Sequence, residues 1–507
     1  MPVSRRSFLA VLAASGPIAS RAASAAPGAE GLVVSQFAET RDLAAIDPMR
    51  SLDFTIPTSL LFDPLLERDA DGRLVPALAT AWERTGPTTW RFTIRRGVRF
   101  HDGATLTAAD AAATFAFLLD PANRSGIRLQ VQPVLRAEAP DEATLLLHTA
   151  TPTGLLPEIV AAVPVLQKMQ LTHPDTAFRT QPIGSGPWRL AAWRPGERVE
   201  LEATGTHWAL PAPGFRRITV RAVPEASTRV ADLLSGGAGI AADIPPGLAA
   251  RVSRGGARLV SRPGARTQYL SFWFRPPFDD ARVRAAVHHG IDRKALAQAT
   301  WADLAEPATG PVSRVYGGYV PAFPDADHDP ARARALLRDA GITTPLAVEL
   351  DAPPAELQTA QVLQAQLAQA GFAVRINPLD SIAAAFDAKR LAAQEHGRMV
   401  VITALDNHAR DAIRPYTAFY AENGFLKGSL GYKPDARLAP LLAAYMAADG
   451  AEARQAASAA LMAVAKADAP VVFLAFPKVV YGVAASVEMP PTGHGRIDFA
   501  SLQPRNA

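Results

Sequence analysis

The sequence predicts an α/β protein with more than one globular core. The chain has 507 residues, 49% hydrophobic and 20% charged, an ordinary folded composition with enough apolar surface for several buried layers. Between residues 329 and 404 the apolar spacing alternates between the period of a helix and that of a strand, which implies a lobe with parallel strand pairing.

The elements of that stretch are well marked. Asp329 can cap a helix that has Pro330 at its first position, places Ala333, Leu336, Leu337 and Ala340 on one face, and stops at Gly341. An apolar strand over 346–350 leads to a second helix carrying Leu357, Ala360, Leu363, Leu367 and Ala370, which stops at Gly371. Phe372, Val374 and Ile376 alternate as a strand, and 399–404 is apolar throughout, as a strand buried on both faces is. Further on, an alanine-rich helix over about 451–467 precedes strands at 471–476 and 479–484. In the first half, residues 60–120 read as a compact unit. It has turns at Asp71-Gly72 and His101-Asp102-Gly103 and alternating Trp90, Phe92 and Ile94. Thr107 caps its helix with Asp110 returning the bond, and Ala111, Phe115, Leu118 and Leu119 follow at helical spacing. There is no internal repeat and no low-complexity linker.

The first residues read as an export signal. Ser4-Arg5-Arg6-Ser7-Phe8-Leu9 opens an apolar run over 8–14, Gly16-Pro17 breaks it, and Ala23-Ser24-Ala25-Ala26 offers a cleavage site. The run is shorter than the roughly 20 residues a bilayer span needs, and no later segment is long enough. Paired arginines before the run are the twin-arginine signal. Residues 1–26 are therefore expected to be removed on passage through the twin-arginine export machinery, leaving a periplasmic protein; the alternative is a basic, frayed terminus. The absence of cysteine removes any lipidated anchor, and a chain this large can bury a core without disulfides. Cleavage near Ala26 takes away Arg5, Arg6 and Arg21 and no acid, so 52 basic residues become 49 against 48 acidic and the formal charge falls from +4 to +1. That balance argues against a nucleic-acid or membrane-surface partner.

Catalytic and metal-binding patterns fail on inspection. Gly237-Ala238-Gly239 with Ala242 follows a helix-like stretch, 230–234, where a dinucleotide loop should follow a strand. Gly184-Ser185-Gly186 lacks the spacing of a nucleophile elbow and reads as a turn. Asp325, Asp327 and Asp329 begin like a calcium loop, but Pro330 and Leu336 stand where glycine and glutamate are needed. His288 and His289 are adjacent, so on a helix they diverge by about 100°, one toward the core and one toward water. Without thiolates or a spaced histidine pair a structural zinc site is not expected. No cofactor is implied, and no catalytic residues are assigned.

Several segments together resemble a known family. Asp63-Pro64-Leu65-Leu66, the run from Leu74 to Trp82 and Trp90-Arg91-Phe92-Thr93-Ile94-Arg95 are followed by Gly97-Val98-Arg99-Phe100-His101-Asp102-Gly103 and Leu106-Thr107-Ala108-Ala109-Asp110. Pro182-Ile183-Gly184-Ser185-Gly186-Pro187-Trp188, the helix begun by Asp279-Asp280 with Ile291-Asp292-Arg293, and the helix begun by Asp329-Pro330 come next in the expected order. The chain is similar from about residue 30 to 500 to the family 5 solute-binding proteins of ABC importers, the dipeptide, oligopeptide and nickel-binding group. The resemblance implies a two-lobed periplasmic binding protein of type II with an extra domain inserted in lobe one and a ligand cleft between the lobes. On that plan 27–50, 185–265 and 478–507 build lobe one, 51–184 the inserted domain and 266–477 lobe two.

The same resemblance implies the site. In peptide-binding members an aspartate in a segment equivalent to 402–407 pairs with the ligand's amino group, which points to Asp406, with Asp411 as second choice. A loop aspartate that caps or faces solvent is the alternative reading. Arg410 and Arg414 flank the segment and can clamp a carboxylate bidentately, or be ordinary surface arginines. Two departures, Trp273 where the family has asparagine and Gly236-Gly237-Ala238-Gly239 where it has a Gly-x-x-Asp turn, are expected in or near the cleft. The implied function is capture of a peptide or other small amine-bearing solute and its delivery by a monomer to an inner-membrane permease. The alternatives are a receptor for a metal chelate or haem and, from another class, a periplasmic hydrolase, which would need an activated nucleophile or an open metal site.

Overall fold

A computed structural model describes residues 31–36, 49, 56–69, 72–128, 131, 133–161, 163–172, 179–210, 212–323, 328–386, 397–404, 410–492 and 497–505. The expected signal at 1–26 lies outside the described residues, as do Asp71, Asp325, Asp327 and Asp406. Two large sheets form the cores of two lobes, and a smaller sheet forms a third unit beside them.

The six-stranded sheet runs, in order, Ala305–Pro307, Val471–Pro477, Thr267–Phe272, Met399–Ala404, Leu346–Ala352 and Phe372–Pro378. Its helices are those the spacing predicts. Asp329 accepts the Arg332 N–H at 2.9 Å at the start of the helix Pro330–Asp339. That helix and Leu357–Gln369 are followed by glycines at positive φ, Gly341 and Gly371. Leu337, Leu363 and Leu367 pack with Leu350 and Phe372 into one core. The expected parallel pairing holds where a helix joins the strands: Leu346–Ala352 lies parallel to both Phe372–Pro378 and Met399–Ala404. It does not extend further. Thr267–Phe272 enters between Met399–Ala404 and Val471–Pro477, pairs antiparallel with both, and makes the sheet mixed.

The seven-stranded sheet has the order Arg258–Arg262, Val479–Val483, Ile240–Ala241, Gly31–Gln36, Arg217–Ala222, Arg198–Ala203, Trp188–Arg194. The helix Ala226–Leu234 precedes Ile240–Ala241, so Gly237-Ala238-Gly239 sits in a helix-to-strand turn. The third unit is an antiparallel sheet of Ala79–Gly86, Thr89–Ile94, Thr144–Thr149 and Val134–Asp141. Trp90, Phe92 and Ile94 point inward from it. It needs strands as far as Thr149, so the compact unit is longer than the 60–120 stretch read from the sequence. The helix Ala108–Leu119 lies on this sheet. One oxygen of Asp110 accepts the Thr107 N–H at 2.8 Å and the other the Lys168 N–H at 2.8 Å, which ties the helix to the chain that follows.

The chain crosses between the two large sheets from Arg262 to Thr267 and again from Pro477 to Val479. The crossings touch: a Cβ on Gly264 would overlap the Pro477 carbonyl oxygen, and the Tyr316 hydroxyl donates to the Gly264 oxygen at 2.9 Å. Gly264→Ala is expected to cost about 1–3 kcal/mol in urea unfolding, as overpacking against backbone does. Gly247→Ala, where a methyl meets nothing, should lose none.

Candidate ligand-binding site

A cavity of 520 Å³ opens where segment 56–69, loop 207–210 and the C-terminal stretch 497–500 come together with Tyr481 and Arg410. Arg410 follows the strand Met399–Ala404, so it brings the six-stranded lobe to a cavity otherwise walled by the other two units. The volume falls within the roughly 300–1,000 Å³ of small-molecule sites. Trp188, Trp208 and Phe499 supply apolar wall, and Asp63, Glu67, Arg68 and Arg410 supply charge.

Asp63 organises the wall. It follows the short helix Ile56–Leu61, whose Leu60 and Leu61 are buried, and is itself only 3% exposed. A carboxylate so placed needs donors. The Ser185 hydroxyl donates to it at 3.0 Å, Trp208 Nε1 at 3.0 Å and His207 Nε2 at 3.1 Å. Nδ1 of His207 accepts the Leu210 N–H at 3.0 Å, which puts the ring proton on Nε2, facing Asp63. The Arg95 guanidinium lies 4.1 Å over the Trp208 ring and fixes it from the far side.

The next strand, Leu66–Arg68, carries two more charged side chains into the cavity. Partial desolvation by the surrounding wall, then repulsion from Asp63, pushes the Glu67 carboxyl up to about 7, although the side chain keeps contact with solvent; His207 opposes this and Asp498 adds to it. Arg68 donates to the Gly72 carbonyl at 2.9 Å and to Glu158 at 2.5 Å. Among the described residues no group of three or more His, Asp or Glu side chains is placed to hold a metal ion.

Comparison with known proteins identifies the scaffold around this cavity. The model of bacterial extracellular solute-binding proteins, family 5, matches residues 73–423. The chain belongs to that family. The glutathione-binding protein GsiB of Pectobacterium atrosepticum is 28% identical over 379 residues, 73% of each chain, and its Salmonella choleraesuis counterpart 29% over 378. Among solved structures, the ABC transporter substrate-binding protein CtaP of Listeria monocytogenes superposes with a TM-score of 0.81 at 19% identity, covering 94% of this chain and 99% of its own. DppA of Helicobacter pylori, in complex with the peptide STSA, gives 0.76 at 20%, covering 94% and 98%. The protein is thus a solute-binding protein of family 5, with the two-lobed fold of that family.

The family resemblance had pointed to five site residues, and the structure distributes the four it describes. Arg410 is on the cavity wall, its backbone held by the Gly317 N–H at 3.0 Å. Asp411, 1% exposed, turns the other way: Oδ1 accepts the Tyr445 hydroxyl at 2.5 Å and the Ile413 N–H at 3.0 Å. Burial pushes its carboxyl up while Tyr445, Ile413 and Arg454 hold it down. Arg414 is half-buried near Tyr269. Trp273 is buried away from the cavity, its ring 5.7 Å from the Arg398 guanidinium, and its Nε1 has no partner among the described residues. The tandem glycines make a surface turn after Leu234, with Gly239 packed on Leu32. Asp63, Glu67, Arg68 and His207 had drawn no functional reading from the sequence. The one usable signal was Asp63 itself, a lone acid inside Leu60-Leu61-Phe62-Asp63-Pro64-Leu65-Leu66.

Two outcomes follow from this wall. Asp63→Asn places an amide N–H₂ among three donors and is expected to cost about 2–4 kcal/mol in urea unfolding, in line with charged hydrogen bonds of about 1.5–3 kcal/mol each. For Glu67 the folded carboxyl binds its proton more tightly than the unfolded one, so its contribution is full below the unfolded value of 4.5 and is lost as pH rises through about 7. Urea titrations from pH 4 to 8 should show a shallower decline for Glu67→Gln than for the parent.

Proposed function

We propose that this chain is the periplasmic receptor of an ABC importer for a small peptide-like solute that carries both an amine and a carboxylate. The observation that carries this reading is the cavity, which is sized for a few residues and puts carboxylates, guanidinium groups and tryptophan faces on its walls. GsiB relatives named for glutathione and a DppA neighbour holding a peptide support the same solute class. Arg410 takes the solute's carboxylate, with Arg414 behind it, and Asp406 takes the amine. Trp273 stands at the other end of the neighbouring strand, beside Arg398, and is given no contact with the solute. The protein binds and releases without turnover, acts as a monomer, and hands its solute to an inner-membrane permease.

On this reading 27–50, 185–265 and 478–507 form lobe one, 51–184 the inserted domain and 266–477 lobe two. The two crossings at 262–267 and 477–479 support the division. Residues 1–26 direct twin-arginine export and are removed near Ala26. Changing Arg5 and Arg6 together to lysine should stop export, read as precursor retained in the cytoplasm; normal export of the double mutant would assign the general secretory route.

Calorimetry tests the solute class, using reduced glutathione, Met-Leu and their N-acetyl forms. Asp406→Asn should lose on the order of 2–5 kcal/mol for the free amines, as truncated buried charge pairs do. That is roughly 30-fold to several thousand-fold in affinity. The acetylated forms should bind parent and variant alike. Equal binding of free amines by both proteins would move the amine anchor elsewhere, and no binding of any of the four would sink the solute class.

A further inference from the structure

Around the cavity, four charges alternate in sign along a path that leaves one wall and returns to the other. Arg68, on the wall, pairs with Glu158 at 2.5 Å. The second oxygen of Glu158 lies 3.4 Å from Nη1 of Arg454, and the same nitrogen is 3.8 Å from Oδ2 of Asp411. Asp411 is the neighbour of Arg410, which is back on the wall. Arg68 and Glu158 belong to the unit built on the four-stranded sheet; Asp411 and Arg454, the latter on the helix Gly450–Asp468, belong to the six-stranded lobe. Arg454 therefore stands at the boundary between two units, outside the cavity, with one carboxylate from each side on a single guanidinium nitrogen.

The surrounding contacts show that this boundary is built. The Gly154 N–H donates to the Met446 carbonyl at 2.9 Å, and a Cβ at 154 would overlap the Ala448 oxygen. Arg84 meets Asp449 at 2.5 Å on the solvent side. Side-chain exposures of 18% for both Arg454 and Glu158, and 2% for Asp411, place the pairing where screening by water is weak. Removing the guanidinium would leave two carboxylates facing each other across the boundary.

We infer that Arg454 is a positioning residue that joins the two walls of the cavity, holding Arg68 in place through Glu158 and Arg410 in place through Asp411. It touches no ligand itself. This rests on the cavity being the solute site, and it makes solute retention depend on a side chain two contacts away.

The chain has no cysteine, so Glu142→Cys and Ala460→Cys, exposed and on opposite sides of the boundary, can carry spin labels without background. In the ligand-free protein, Arg454→Gln should broaden the label distance distribution and speed amide exchange in both 66–68 and 410–413 by on the order of tenfold. Arg454→Lys, which keeps the charge, should restore most of both. A merely structural role would lower the melting temperature without this paired local effect or the lysine rescue. An unchanged distance distribution, or exchange altered on one wall only, overturns the inference. If Arg454→Gln does not fold, Glu158→Gln breaks the same link from the other side and is read identically. Dissociation of reduced glutathione, also faster by about tenfold in Arg454→Gln, is a separate arm. If the parent does not bind glutathione, the solute reading fails, and the distance and exchange data still decide the role of Arg454.

Discussion

A carboxylate taken out of water costs several kcal/mol unless donors replace its hydration, and Asp63 is such a group. Its donors come from residue 185 and from residues 207 and 208, more than a hundred positions away along the chain. None of these segments can settle alone. When they meet, the loop 207–210 closes over the end of segment 56–69, Trp208 is pinned between Asp63 and Arg95, and the wall of the cavity exists. The concave surface is thus a consequence of satisfying one buried charge, and the same bonds that fold this region shape its site.

The two lobes are held by a different constraint. Their only covalent links among the described residues are the crossings at 262–267 and 477–479, which lie in contact at Gly264 and Pro477. One face of the six-stranded sheet is covered by the lobe's own helices, with Leu350, Leu363 and Leu337 in a self-contained core. The other face, with Tyr269 and Ile402, joins the core shared with the remaining units. Coverage on both faces explains why Thr267–Phe272 and Val471–Pro477 are buried at every position and carry no alternation.

Local grammar was legible in the sequence and long-range pairing was not. Asp329-Pro330 and Gly341, Thr107 and Asp110, and the alternation at Trp90, Phe92 and Ile94 each act within a few residues, so each could be read where it stood. The antiparallel entry of Thr267–Phe272 into the sheet depends on partners about 130 and 200 residues away, and no local pattern encodes it. The site divides the same way. Arg410 could be singled out because it flanks a short segment matched to the family's ligand-binding stretch. Glu67 and Arg68 occupy an ordinary polar stretch before a turn, and only the folded wall gives them meaning. Asp411 shows the opposite limit: its sequence position is adjacent to the site, yet the bridge from Gly317 to Asp411 turns its carboxylate inward to Tyr445.

The electrostatics of the cavity bear on how such a receptor can both hold and release. Asp63 already accepts from Ser185, His207 and Trp208, and Arg68 is already paired with Glu158. The wall therefore meets a solute with much of its charge already partnered within the protein. A zwitterionic solute entering it exchanges ion pairs with the protein instead of meeting bare charges, and exchange gains less than the formation of a new buried pair because the existing partner must be displaced. Affinity then depends on how well the two walls are registered, which is set at the boundary between units and not by the charges alone. A joint that slips weakens every exchanged pair at once. Solute release can accordingly be driven by separating the lobes, with no change in the chemistry of any cavity side chain.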